Sequence, residues 1–221
     1  MTQKTLIISD CHIGDQRFSG YEQLTDILLN EPYDRLILNG DIVEYFVGSI
    51  KDPLKAEFFD LLGRLSKVKE VIYLFGNHDY RISKHMAALL PHILVAEFFE
   101  FVSGGKRFLV THGHQVYARQ DRSLFLKLLA KLNYIIWQHF GIDLQRINDS
   151  SEYYLKYVNN KRLKLLRKYG AGFDVVISSH THALGHCIVG EKELYDIGGF
   201  IKTHSFAIVD ETGNVRIEVK I

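Results

Sequence analysis

Five short clusters in this chain hold the side chains that bind metal ions: Asp10-Cys11-His12, Gly40-Asp41, Gly76-Asn77-His78-Asp79, Thr111-His112-Gly113-His114 and Ser179-His180-Thr181-His182. Their donors are carboxylates, imidazoles and an amide oxygen, a mixture that suits Mn²⁺, Fe or Zn²⁺ and needs no thiolate. One cluster alone is a weak signal, since a single histidine after a strand is more often a hydrogen-bonded structural residue. His180 and His182 say more, because alternate residues of an extended chain share a face. Together the five clusters supply a complete ligand set for two ions. Two divalent ions roughly 3.5–4 Å apart generate hydroxide at neutral pH and clamp the oxygens of an in-line displacement at phosphorus. Such chemistry asks mainly for positioning and charge neutralisation.

The clusters follow predicted strands. Thr5–Ser9, Arg35–Leu38 and Val71–Phe75 are short apolar runs, each ending at a cluster, with helices expected over Tyr21–Asn30 and Leu54–Ser66. Strands separated by helices of this length predict an α/β sheet, and in such sheets ligands bind at the carboxyl ends of the strands. The pattern then changes. Glu97–Val102 and Arg107–Thr111 read as a hairpin turning at Gly104-Gly105, and Asp174–Ser178 as a further strand. Gly185–Val189, Glu193–Ile197, Ser205–Val209 and Val215–Val219 read as a meander, so a second, largely antiparallel sheet is expected after the first.

With 221 residues, 47% of them apolar and 24% charged, the chain reads as a single domain, 1–221, with a sizeable core. Two cysteines, Cys11 and Cys187, imply no disulfide framework and favour a reducing, cytoplasmic setting. Met1–Ile8 reads as a strand rather than a signal peptide, and no run approaches the roughly 20 apolar residues of a membrane span.

The order D-x-H, G-D, G-N-H, H-G-H, H-x-H resembles the calcineurin-like metallophosphoesterases from Thr5 to about Phe206, apart from a helical insertion. The resemblance implies a four-layer α/β/β/α sandwich of two mixed sheets. It also implies that Asp10, His12 and His182 hold one metal ion, that Asn77, His112 and His180 hold the other, and that Asp41 bridges them, with Mn²⁺ the expected metal. His78, beside Asn77, is the expected general acid for the leaving oxygen. Related phosphatases orient this histidine with an Asp three residues after the bridging Asp; here Glu44 stands there, either as that partner or as a solvated carboxylate. The family's usual Gly before H-x-H is Ser179 here. His114 is an additional histidine, read as a substrate contact or a support for the ligands.

Residues 117–171 read as a helical cap inserted between two strands, with helices over Ser123–Phe140 and Glu152–Tyr169. The segment carries eleven Lys and Arg against four acidic residues. A cationic cap over an anionic centre attracts an anionic, phosphorylated substrate. Arg119, Arg122, Lys161, Arg162 and Lys164 are either candidates for its phosphate or members of a solvated helix face. The apolar residues from Leu124 to Phe140 either pack on two sides or form a groove for acyl chains or a membrane surface. The cap's place resembles the UDP-2,3-diacylglucosamine pyrophosphatase group, which usually carries Arg at the His78 position and Asp at the His114 position. A nuclease and a non-catalytic scaffold of the same fold are the competing readings. Nucleic acid is not the expected partner, because the cap lacks a recognisable stacking platform. The oligomeric state stays open.

Overall fold

The computed structural model describes residues 3–45, 52–79, 91–116, 124–140, 142 and 151–220. The first half alternates as β1 (Thr5–Ile8), α1 (Tyr21–Asn30), β2 (Arg35–Asn39), α2 (Pro53–Leu65) and β3 (Glu70–Leu74). Helix α2 begins one residue before the expected Leu54. Pro53 occupies the first turn, and the Asp52 side chain caps it by accepting from Leu54 N at 2.9 Å. A short strand that the sequence pattern does not announce, β4 (Ile93–Ala96), pairs in parallel with β3 at the sheet edge. The hairpin β5 (Phe98–Ser103) and β6 (Lys106–Thr111) follows, then helices α3 (Leu124–Phe140) and α4 (Glu152–Tyr169). The chain closes with β7 (Val175–Ser178), β8 (Leu184–Val189), β9 (Lys192–Ile197), a short α5 (Phe200–Thr203), β10 (Ser205–Val209) and β11 (Val215–Val219).

Two mixed sheets result, with strand orders β11-β10-β1-β2-β3-β4 and β5-β6-β7-β9-β8. This corrects the reading of the C-terminal strands as one meander in a second, largely antiparallel sheet. Strands β8 and β9 belong to the second sheet, where β6, β7 and β9 run parallel. Strand β10 returns to the first sheet and pairs antiparallel with β1. The physical reason is visible in β10 itself: all five residues are buried, as a strand enclosed on both faces requires, whereas β8 is largely exposed at an edge.

Alternation along the strands builds three apolar layers. Between the sheets, Ile7, Ile37, Ile72 and Leu74 pack with Phe108, Val110, Val175 and Ile177. On the other face of the first sheet, Leu6, Ile8, Leu36 and Leu38 meet α1 and α2 through Leu24, Ile27, Phe58 and Leu62; Cys11 is buried in this layer. On the outer face of the second sheet, Val176 and Leu194 meet Leu165 and Leu166 of α4. The layers are therefore α/β/β/α.

The second helix of the expected cap thus forms the outer layer of the sandwich. Helix α3 differs. Among its described side chains, Leu128, Leu132 and Ile135 are at least half exposed, so that face is not packed on two sides. Its contacts reach the loop after β1: Gln138 bonds Gln16 at 3.0 Å, and the Arg17 guanidinium lies 5.5 Å from the Tyr134 ring centre. Among the described residues no helix is long and apolar enough to cross a membrane.

Candidate metal centre

Strands β1, β2 and β3 of one sheet and β6 and β7 of the other end where the two sheets meet. Polar bonds fasten this seam. Asn39 donates from Nδ2 to Thr111 O at 3.2 Å, and its own carbonyl lies 2.9 Å from His112 Nδ1. Ser9 Oγ lies 2.6 Å from Ser179 Oγ, and His180 N donates to Asp10 Oδ2 at 3.2 Å. Gly40 makes the close approach possible: at φ +81° its backbone suits glycine, and a Cβ there would stand 2.6 Å from His112 Cγ.

The seam gathers the sequence-predicted residues into three groups whose donor atoms lie within 4.8 Å of one another: Asp10, His12 and His182; Asp41, His112 and His180; and His12, Glu44 and His78. Within them, Asp10 Oδ1 is 3.0 Å from His182 Nε2, and Asp41 Oδ2 is 3.2 Å from His112 Nε2. His180 Nδ1 is 3.3 Å from His112 Nε2. Asn77 follows β3, and the next backbone amide, His78 N, donates to Asp41 Oδ1 at 2.8 Å.

The donor set fits divalent ions on an observation independent of residue type. His12 Nε2 and Asn77 Oδ1 are buried polar atoms without a hydrogen-bond partner among the described residues. Such atoms are rare unless something else satisfies them. The other ring nitrogen of His12, Nδ1, is fixed by Glu44 Oε2 at 2.9 Å, the arrangement that aims a metal-binding imidazole.

The backbone is strained at the same places. Among the described residues, the non-glycine positions with positive φ are Asp10, His12, Asp41, His180, His182 and His204. Five of these six are candidate ligands. Non-glycine residues held in this region cost on the order of 1–3 kcal/mol each and persist where surrounding bonds over-determine them.

Charge is concentrated here. Burial acts to raise the Asp10 and Asp41 carboxyls, but His112 with His182 (for Asp10) and His112 with His78 (for Asp41) hold both below the usual carboxylate range. Burial acts to lower His112 and His78, but Asp41 outweighs it, aided by Asp10 at His112 and by Glu44 at His78. The two imidazoles are lifted to about 10 and about 9. Burial lowers His180 well below the ordinary histidine value and also lowers His182. At neutral pH the metal-free site therefore sets the charged His112 and His78 imidazoles beside the Asp10 and Asp41 carboxylates.

Glu44 is 1% exposed, which rules out the solvated reading, and its Oε2 lies 2.7 Å from His78 Nδ1. His114 sits with its ring 5.5 Å from that of His112; burial and the His112 charge lower it to about 4, leaving it neutral. Arg119 and Arg122 lie outside the described residues. Arg162 is not available to a phosphate: it is buried and bonds Asp196 Oδ2 at 3.0 Å. Lys161 donates to Val116 O at 3.3 Å, and Lys164 is exposed.

Asp79 has a structural part that the sequence reading left unassigned. Fully buried, it accepts from Gly76 N at 2.7 Å, Ile42 N at 2.9 Å and Tyr73 Oη at 2.7 Å. It thereby ties the loop of Asp41 to the loop of Asn77 and His78. Its place directly after Asn77-His78 is the one signal the sequence offers. Burial and the Asp41 charge push it up to about 6.

An α/β/β/α sandwich whose shared strand ends carry Asp- and His-rich clusters is the build of a metallophosphoesterase. The chain belongs to the calcineurin-like phosphoesterase family, whose sequence model matches residues 3–184. A UDP-2,3-diacylglucosamine hydrolase of Tolumonas auensis is 23% identical over 145 residues, 64% of this chain. The chain spans 59% of the length of that curated relative. Among solved structures, an archaeal phosphodiesterase is similar over 98% of this chain and 99% of its own, with a TM-score of 0.55 at 18% identity. Vps29 of Chaetomium thermophilum is similar over 97% and 95%, with a TM-score of 0.52 at 12% identity. These two likenesses concern the fold.

Proposed function

We propose that the chain is a dinuclear-metal phosphoesterase that hydrolyses a phosphoester or pyrophosphate bond of an anionic substrate. One observation carries this reading: the groups Asp10, His12, His182 and Asp41, His112, His180 meet at one seam with His78 beside them. Asp10, His12 and His182 would hold one ion. Asn77, His112 and His180 would hold the other, with Asp41 shared and Mn²⁺ the metal of choice for this donor mixture. The ions, when bound, supply an activated water and neutralise charge on the phosphoryl oxygens.

The remaining work falls to the chain's own residues. Glu44 engages His78 Nδ1, which leaves Nε2 as the atom from which a proton passes to the leaving oxygen. The His78 side chain is 28% exposed, open enough to meet a substrate. Asp79 and the His78 N–Asp41 bond fix where that imidazole stands.

For the substrate, we favour a nucleotide-linked or lipid-linked phosphate ester. Supporting this are the basic insertion, the exposed apolar residues Leu128, Leu132 and Ile135 of α3, and the name of the Tolumonas relative. The same exposed face would give peripheral contact with acyl chains or a membrane surface. The test is a panel assay with Mn²⁺ on a nitrophenyl diester, a nucleotide-sugar pyrophosphate and an acylated nucleotide-sugar pyrophosphate. Turnover of the acylated compound above the other two supports the lipid-linked reading. Equal turnover of both pyrophosphates removes it, and no turnover of any removes the phosphoesterase reading.

A further inference from the structure

The loop that carries His180 and His182 is held from behind by α4. Side chains alternate along it: His180 and His182 face the metal seam, while Thr181 and Ala183 are gripped from the opposite side. Tyr154 Oη donates to Thr181 O at 2.9 Å. Arg162 Nη2 donates to Ala183 O at 2.6 Å. Asp196 of β9, 1% exposed, accepts through Oδ2 from Arg162 Nε at 3.0 Å and from Thr181 Oγ1 at 2.7 Å. Arg162 is steadied on its own helix by Asn159 Oδ1 at 2.9 Å. Gly185 leaves the room it needs, since a Cβ there would stand 2.2 Å from the guanidinium carbon. Two carbonyls and one hydroxyl of a five-residue stretch are thus fixed by groups from α4 and β9.

This grip coincides with strain. His180 and His182 both have left-handed backbone, at φ +75° and +55°. A non-glycine residue keeps that conformation only where its neighbours enforce it. The neighbours on each side of His182 are the two residues whose carbonyls are bound. A buried Arg–Asp pair is weak evidence for stability as such, because desolvation offsets much of the attraction. Its retention here, aimed at backbone carbonyls, points to geometry.

We propose that Arg162, Asp196 and Tyr154 are positioning residues for His180 and His182, so that α4 of the helical insertion sets the shape of the metal-ligand loop. The inference rests on the metal-ligand reading of those two histidines. With the grip loosened, the loop relaxes toward unstrained backbone, the imidazoles leave their directions, and metal affinity falls while the fold remains.

The experiment compares wild type, Tyr154→Phe, Arg162→Lys and Arg162→Leu. Tyr154→Phe removes one hydroxyl and leaves no buried charge unpaired. Mn²⁺ affinity and stoichiometry are read by calorimetric titration, thermal unfolding is read in chelator, and kcat and KM are read on a nitrophenyl diester. The expected result is a 5- to 20-fold loss of Mn²⁺ affinity in Tyr154→Phe, larger in Arg162→Leu and partly restored in Arg162→Lys. The kcat at limiting Mn²⁺ falls in the same order, KM is unchanged, and Tyr154→Phe unfolds in chelator as wild type does. Wild-type Mn²⁺ affinity in both Tyr154→Phe and Arg162→Lys would overturn the inference, even if Arg162→Leu failed to fold. Failure of wild type itself to bind Mn²⁺ would instead overturn the reading on which the inference stands.

Discussion

Glu44 Oε2 lies 2.7 Å from His78 Nδ1, and the same oxygen lies 2.9 Å from His12 Nδ1. One buried carboxylate atom therefore orients both the candidate general acid and a candidate metal ligand. Burial alone would raise the Glu44 carboxyl, yet bonds from the two imidazoles hold it well below the usual range, so it stays ionised. The buried Lys55 ammonium bonds the Glu44 carbonyl and fixes the backbone from which this side chain projects. Glu44→Gln keeps the shape and removes the charge. Outer partners of ligating histidines are typically worth about 10–100-fold in metal affinity or activity. Both Mn²⁺ affinity and kcat should fall within that range in Glu44→Gln. A variant that lost only one of them would separate the two roles.

His78→Ala should slow substrates with poor leaving groups more than nitrophenyl esters, whose leaving group needs little protonation. Rate ratios on an alkyl and a nitrophenyl ester check this. A proton donor contributes typically about 10²–10⁴-fold, so the alkyl ester should lose that much and the nitrophenyl ester far less. Equal losses would remove His78 as the acid.

Ser179 stands where the family usually has glycine, and its hydroxyl joins the sheets through Ser9 Oγ at 2.6 Å and Asn39 Nδ2 at 3.2 Å. Ser179→Ala leaves one of the two Asn39 Nδ2 hydrogens without its acceptor, while the other keeps Thr111 O at 3.2 Å and Ser9 Oγ keeps Asn39 O at 2.6 Å. An unsatisfied buried group costs about 1–3 kcal/mol, so the variant should unfold at lower denaturant concentration by that amount, measured in chelator. Mn²⁺ stoichiometry should be unchanged.

Metal loading should release protons. In the metal-free protein His112 is lifted to about 10, so at neutral pH its proton must leave before the nitrogen can bind an ion. Calorimetric enthalpies of Mn²⁺ binding should vary with the ionisation heat of the buffer, and affinity should weaken as pH falls. The sign for stability without metal follows from the same shift. A histidine raised from 6.5 to about 10 on folding stabilises fully below 6.5, and that contribution is lost as pH rises through about 10. Adding Mn²⁺ at a hundredfold excess over its Kd should stabilise the fold by about 2.7 kcal/mol per site.

The ligand clusters were legible in the sequence because each sits on a few contiguous residues directly after an apolar run. The helices were legible for the same local reason: α1 and α4 have the predicted bounds, and α2 differs by one residue at each end. Strand partnership was not, because β10 meets β1 across nearly the whole chain and nothing local to Ser205–Val209 names that neighbour. The position of α4 was half legible. Val158, Leu165 and Leu166 share one face and could have marked it as packed, but its many Lys and Arg drew the reading toward a cap. By sequence Arg162 is either a phosphate candidate or part of a solvated helix face. It is neither: it is buried against Asp196, and a lone Asp in a strand gives no local sign of the guanidinium it meets.

A dinuclear centre bridged by Asp41 is tested by Mn²⁺ content measured together with diester turnover, in wild type and in Asp41→Ala. Wild type should hold two Mn²⁺ per chain and turn over the diester only with metal. Asp41→Ala should lose both the metal and the turnover, with the far-UV circular dichroism of the fold retained. Turnover at the wild-type rate in Asp41→Ala with added Mn²⁺ would rule the centre out.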